Sequence, residues 1–265
     1  MRVILFGATG MLGRYILKGL EETHEVISII RSDYDIENDD MSKLEHILSN
    51  ILQENVVIIN SAGLIPHKNN NDLKKNIKIN CLFPHKLSSI CSKFKCNLIH
   101  ITTDCVFSGL KGNYDENDVH DAESIYGISK SLGEPEEATI IRTSIIGEEL
   151  YSKKSLLEWV ISNKGSTIEG YTTHYWNGVT CLTLSNIISK IVNENLYWKG
   201  VKHIASPEMV SKFQLCEYIN QIYDLNLKIV PIEKEYKNLT LKSDNIFKTD
   251  SIYDQIDTQK KYNIC

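Results

Sequence analysis

A chain of 265 residues is long enough for one large domain, or for a core domain with a smaller lobe. Its composition, 42% hydrophobic and 24% charged, is that of an ordinary globular chain. A net charge of −5 without a basic block argues against nucleic acid as a partner, and no apolar run reaches the roughly 18–20 residues of a membrane span.

Short apolar, β-branched runs fall at 3–6, 26–30, 56–59, 98–101 and 139–141, and amphipathic helical patterns fall between them at 11–21, 41–52, 73–94 and 126–134. Strand–helix alternation of this kind predicts right-handed crossovers and a doubly wound parallel sheet, an α/β Rossmann-like fold. The periodicity weakens near residue 145. Helices are expected at 155–163, 182–193 and 212–223, with short strands near 202–205 and 227–230. The expectation is therefore a dinucleotide-binding domain over 1–145 and a smaller substrate-binding lobe over 146–265 that sends segments back to the sheet. Seven cysteines, at 81, 91, 96, 105, 181, 216 and 265, show no C-x-x-C pair. Their odd number and scatter, and a strand-like run directly after Met1, point to reduced thiols in the cytoplasm. The eight histidines form no zinc-type cluster, so no metal is expected.

Directly after the first strand comes "GATGMLGR", with Gly7, Gly10 and Gly13 spaced G-x-x-G-x-x-G. A glycine turn that leaves a strand and opens a helix brings backbone close to a pyrophosphate and aims unpaired N–H groups at it. Thr9, Met11 and Leu12 share that turn. An acidic residue usually ends the second strand where a free ribose 2′-hydroxyl is bound. This chain has Arg31 there instead, and Arg14 follows the third glycine. Two arginines suit a 2′-phosphate and hence NADPH. Asp35 and Ile36 are placed on the adenine, and Ser61, Ala62 and Gly63 beside the middle of the cofactor.

The fourth strand runs into "TTDCVFSG", and "YGISK" follows on a helix. Tyr126 and Lys130, four apart, lie on one helical face. A strand-end threonine, Thr103, and a Tyr-x-x-x-Lys helix behind a dinucleotide turn form a proton-transfer set at the carboxyl edge of the sheet.

The stretches "GATGMLGR", "TTDCVFSGLKGNYDENDVHDAESIYGISKSLGE" and "RTSIIGEE" resemble the extended short-chain dehydrogenase/reductases that act on nucleotide sugars, chiefly the dTDP-4-dehydrorhamnose reductases and related UDP-sugar reductases. The resemblance covers about residues 1–205. It implies catalytic roles for Thr103, Tyr126 and Lys130, with Thr102 beside the cofactor and Lys130 on the nicotinamide ribose. The activity implied is reduction of a C4 ketone on a UDP- or dTDP-linked 6-deoxyhexose. Proximity of Lys130 is expected to lower the Tyr126 pKa. "GYTTHYWNGVT" is similar to the group's substrate loop. Asp104, Val106, Phe107, Glu116, His174, Trp176 and Asn177 are the expected sugar-nucleotide contacts, with residues 170–180 over the ligand. Cys105 and Ile145 stand where rhamnose-type reductases carry aromatics, which turns the expectation toward UDP-linked 2-acetamido-2,6-dideoxyhexoses. The long helix 73–94 implies a homodimer. A cofactor-binding but catalytically silent subunit, similar to the methionine adenosyltransferase regulatory subunit, is the alternative. A 4,6-dehydratase is disfavoured because Cys105, not Glu, follows Asp104.

Overall fold

A computed structural model of the chain describes all residues except 52–54, 66–71, 151–152, 245, 263 and 265. Leu52, the expected end of the second helix, and Cys265 lie outside the described residues.

Strands β1 (Arg2–Phe6), β2 (Glu25–Ile29), β3 (Val56–Asn60), β4 (Asn97–Thr103), β5 (Thr139–Thr143) and β10 (Gly200–His203) form a parallel sheet in the order β10-β5-β4-β3-β1-β2. Alternate residues of each strand point to opposite faces, and both faces are buried. Val3, Leu5, Val57 and Ile59 pack against α1 (Met11–Leu20) and α7 (Cys181–Glu194). Ile4, Phe6 and Ile58 pack against α2 (Met41–Ile51) and α4 (Phe83–Phe94). The near-continuous apolar strands are the sequence consequence of this double burial. The second half of the chain thus contributes α7 to one face of the sheet and β10 to its edge.

The remaining elements form a separate layer. Helices α6 (Leu156–Ser162), α8 (Lys212–Tyr223) and α9 (Ile252–Lys261) enclose a core of Leu157, Val160, Leu215, Ile219, Ile252 and Ile256. Small pairings flank it: β7 (Thr167–Tyr171) with β12 (Lys228–Ile232), β8 (His174–Trp176) with β11 (Val210–Ser211) and β13 (Lys237–Asn238), and β6 (Ile145–Ile146) with β9 (Val179–Thr180). Among the described residues no helix is long and apolar enough to cross a membrane.

The sheet order positions the site. The chain leaves β1 toward β2 on one side and returns through β3 on the other, so a crevice opens at the carboxyl ends between β1 and β3. Phe6 pairs in register with Asn60, which sends Gly7 and Ser61 out side by side. The Ser61 hydroxyl donates to the Phe6 carbonyl at 2.8 Å and closes the floor.

Candidate active site

Two adjoining cavities run along this carboxyl edge. The smaller, about 190 Å³, is lined by Gly7, Thr9, Arg31, Tyr34, Asp35, Ile36, Glu37 and Ala62, among others. The larger, about 520 Å³, shares Thr9, Ala62 and Gly63 with it and continues past Gly10, Met11, Leu12 and Ser61 to Thr102, Thr103, Asp104, Tyr126 and Lys130. Together they line the carboxyl edge from Arg31 at one end to Tyr126 and Lys130 at the other.

The crevice fits a dinucleotide on three counts. Gly7 has φ of +83°, and a Cβ there or on Gly13 would run into the facing backbone, so the turn is as tight as a chain can make it. Gly10 caps α1 without a side-chain hydrogen bond, which leaves the first-turn N–H groups for an anion. The Thr102 hydroxyl, buried on the cleft wall, has no hydrogen-bond partner among the described residues. At the adenosine end Arg31 lies 3.5 Å from both Asp35 and Glu37, and is otherwise largely exposed. Arg14, expected on the 2′-phosphate, is not among the residues lining either cavity, and its charge acts on Cys181, the first residue of α7. The residue after the third glycine is already the fourth of α1.

At the other end, Thr103 terminates β4 and caps the one-turn helix Asp104–Val106. Its Oγ1 accepts from the Cys105 N–H at 3.2 Å and donates to Asp104 at 3.0 Å. Helix α5 (Ile125–Ser131) begins at Ser124, whose hydroxyl accepts from the Gly127 N–H at 3.0 Å. A Cβ on Gly127 would strike the Cys105 carbonyl, so only glycine lets α5 press its Tyr126 against the Thr103 turn. Tyr126 and Thr103 line the same cavity, with Thr103 close enough to act on the phenol. One turn on, Lys130 is 5% exposed and donates to the Ile101 carbonyl at 2.9 Å.

The electrostatics of Tyr126 differ from expectation. Burial, with Cys105 and Asp104 nearby, pushes the phenol up, although nearby Thr103 opposes the rise. Burial pulls Lys130 down to about 8, partly offset by Glu134. The low dielectric raises the cost of phenolate more than the lysine relieves it. The phenol therefore stays protonated at neutral pH, poised to donate rather than to abstract. Cys105 also lines the cleft, but burial raises its thiol to about 12, which makes it wall rather than nucleophile.

Most expected sugar contacts beyond Asp104 are corrected by the packing. Val106 and Phe107 sit in a closed cluster with Tyr114, and Phe107 stacks on that ring at 4.1 Å while the Arg142 guanidinium covers it at 5.2 Å. Glu116 accepts from the His203 N–H at 2.9 Å and pins β10. Trp176 is 4% exposed within the second core. The Asn177 side chain is spent on Leu241, donating to its carbonyl at 2.8 Å and accepting from its N–H at 2.9 Å. Residues 170–180 run through the end of β7, then β8 and β9, and Gly170, Tyr171 and His174 line a second-lobe cavity. His174 lies on a second-lobe cavity and approaches the Glu235 carbonyl at 3.0 Å.

Two features went unread in the sequence. Asn80 sits in a π-helical segment, Ile77–Leu82, inside the long helix. It holds Leu64 through both its N–H (2.8 Å) and its carbonyl (3.0 Å), and donates to Ser129 at 3.1 Å. It thereby fixes the Ser61–Leu64 wall against the helix of Lys130, a placement typical of π-bulges at functional sites. A buried amide in an otherwise apolar stripe was the available signal. The other is Arg142, 1% exposed, which grips the Glu134 carboxylate with two nitrogens (2.6 and 3.2 Å) and donates to His203 (2.9 Å) and His120 (2.7 Å).

A crevice at the carboxyl edge of a Rossmann-type parallel sheet, lined at one end by Thr103, Tyr126 and Lys130, is what the fold presents. The chain belongs to the RmlD substrate binding domain family, whose model matches residues 1–243. It is similar to the spore coat polysaccharide biosynthesis protein SpsK of Bacillus subtilis, 31% identical over 152 residues, covering 54% of this chain and 52% of that protein. It is also similar to the dTDP-4-dehydrorhamnose reductase of Mycolicibacterium smegmatis, 27% identical over 153 residues, 54% and 45% of the two chains. The chain thus matches over about half the length of these curated relatives. A dTDP-4-dehydrorhamnose reductase structure from Bacillus anthracis, in complex with NADP, has the same fold, with a TM-score of 0.84, 21% identity and 98% of each chain covered.

Proposed function

We propose that the protein is an NADPH-dependent reductase of the C4 ketone of a nucleotide-linked 4-keto-6-deoxyhexose, acting in the cytoplasm, with a UDP-linked 2-acetamido sugar favoured as substrate. The carrying observation is that Thr103, Tyr126 and the buried Lys130 line one cavity, which continues from the glycine turn along the carboxyl edge of the sheet. A bound nicotinamide dinucleotide supplies hydride. Tyr126 donates its proton to the oxygen of the reduced carbonyl, and Thr103 hydrogen-bonds the same oxygen. Lys130 and Thr102 hold the nicotinamide end. Cys105 and Ile145, both on the cleft wall, replace the aromatics expected for a rhamnose-type enzyme and favour the acetamido reading. The relatives' names, dTDP-4-dehydrorhamnose reductase among them, support ketone reduction on a nucleotide sugar.

The test is a panel of UDP- and dTDP-linked 4-keto-6-deoxy sugars made in situ, with NADPH consumption followed and products identified by NMR. Turnover of one of them is expected. NADPH binding without turnover of any would favour the silent-subunit alternative.

Two binding measurements probe the crevice. Arg31→Ala removes the cation at the adenosine end, and charge-assisted contacts of roughly 1.5–3 kcal/mol are at stake. NADPH affinity is expected to fall about ten-fold or more while NADH affinity barely changes; equal losses would remove Arg31 as the discriminator. Lys130 loses its proton as pH rises through about 8 in the free protein. NADPH affinity in a fluorescence titration is accordingly expected to weaken above that pH, and Lys130→Met should flatten the profile. An identical pH profile in the variant would assign the titration elsewhere.

A further inference from the structure

We propose that Cys91 and Cys96 form a redox-modification site, a dithiol that hydrogen peroxide closes to a reversible disulfide; this does not depend on the reductase reading above. Helix α4 ends in a left-handed turn at Lys95, with φ of +55°, and the N–H groups of Lys95 and Cys96 both return to the Cys91 carbonyl, the latter at 3.0 Å. A helix end closed in this way brings the side chains of the first and sixth residues of the turn into contact. Here those residues are the two cysteines. Cys96 packs against the core cluster that contains Cys91, and the Cys91 Sγ turns to the same corner, 3.8 Å from the Asn97 carbonyl.

Both cysteines line a cavity of about 630 Å³ at the amino edge of the sheet, beside Asn97 and Thr139, the first residues of β4 and β5. This edge is the opposite one from the catalytic cleft. Cys91 is 4% exposed and Cys96 is half-buried, so a small oxidant arriving through the cavity meets Cys96 first. The electrostatics divide the roles in the same order. Contact with Cys91 lowers the Cys96 thiol, whereas that contact and burial raise Cys91. Burial raises the thiols of Cys81, Cys105, Cys181 and Cys216 as well. The thiolate is the nucleophile, so Cys96 reacts first. Its sulfur attacks one peroxide oxygen, the O–O bond breaks and hydroxide leaves, which gives a sulfenic acid. The Cys91 sulfur then attacks the Cys96 sulfur. The S–S bond forms, the S–O bond breaks, and the departing hydroxide takes the Cys91 proton and leaves as water. In sum, two thiols lose two electrons and two protons, and one peroxide becomes two waters.

The test is tryptic mapping of wild type, Cys91→Ser and Cys96→Ser after the native protein has met hydrogen peroxide and the remaining thiols have been alkylated. Lys93 and Lys95 lie between the two cysteines, so trypsin puts them on separate peptides that only a disulfide holds together. In wild type the seven thiols are expected to fall by two, with these two peptides linked, and dithiothreitol should restore all seven. Cys91→Ser should stop at the sulfenic acid, trapped on Cys96 by dimedone. In Cys96→Ser the buried Cys91 should be oxidised at least about ten-fold more slowly than Cys96 is in wild type. Oxidation that leaves the two peptides unlinked, a linkage between other cysteines in place of this one, or a Cys91 that reacts in Cys96→Ser as fast as Cys96 does in wild type would each overturn the assignment. The wild-type map decides by itself if either variant does not fold.

Discussion

Tyr126→Phe should lower the single-turnover rate of ketone reduction by about 10²–10⁴-fold, the usual contribution of a placed general acid. The ring stays, so its packing against the Thr103 turn is kept and only the proton is lost. NADPH affinity and melting temperature are expected to stay close to wild type. The direction of the tyrosine's shift adds a second readout. Because burial raises the phenol, the wild-type rate should show no loss attributable to Tyr126 ionisation between pH 6 and 9. A decline there that vanishes in Tyr126→Phe would show that the phenol ionises in the bound state. A loss smaller than about five-fold would remove Tyr126 from the proton-transfer step.

Arg142→Leu is expected to give the largest loss of stability, about 3–5 kcal/mol, because it leaves the Glu134 carboxylate, 6% exposed, without its cation. For a chain of this size that is roughly a 10 °C fall in melting temperature, read by calorimetry. The same cluster sets a pH dependence. His120 and His203 each accept a hydrogen bond from Arg142, and burial and the guanidinium hold both below their ordinary value of 6.5. The unfolded chain therefore takes up these protons first. The stability they contribute is present above about pH 6.5 and is lost as pH falls toward their folded values. Since Ser131, next to Lys130, approaches His120 at 2.6 Å, and Glu134 ends the same segment, loosening this cluster should also slow turnover at acid pH. A variant that melts within about one degree of wild type would show that the buried pair contributes nothing net.

The parallel sheet and the glycine turn were readable because their signals are local. Continuous β-branched runs identify doubly buried strands without knowledge of their neighbours, and G-x-x-G-x-x-G behind a strand needs only short-range geometry. The helix expected at 212–223 matches α8, Lys212–Tyr223. The expectation at 202–205 falls two residues late on β10, Gly200–His203, and α9 was not anticipated at all. Its residues, many polar on one side, show their apolar face only against α7 and α8.

Thr103, Tyr126 and Lys130 could be grouped from spacing and family likeness, because strand ends and one helical turn carry them to the same edge. Phe107, Trp176 and Asn177 looked like ligand contacts because aromatic and amide groups near a lobe boundary suit a sugar. What claims them is distant in sequence: Phe107 by Arg142, Trp176 by the second core, Asn177 by Leu241.

By itself the sequence determined the parallel α/β sheet, the dinucleotide turn and the order in which the reactive groups reach the carboxyl edge, since each depends on periodicity or on residues a few positions apart. Only the tertiary structure decided which polar and aromatic side chains remain available to a ligand, and in which direction the Tyr126 proton is biased. Both depend on burial, and burial is set by contacts between residues that the chain itself does not place side by side.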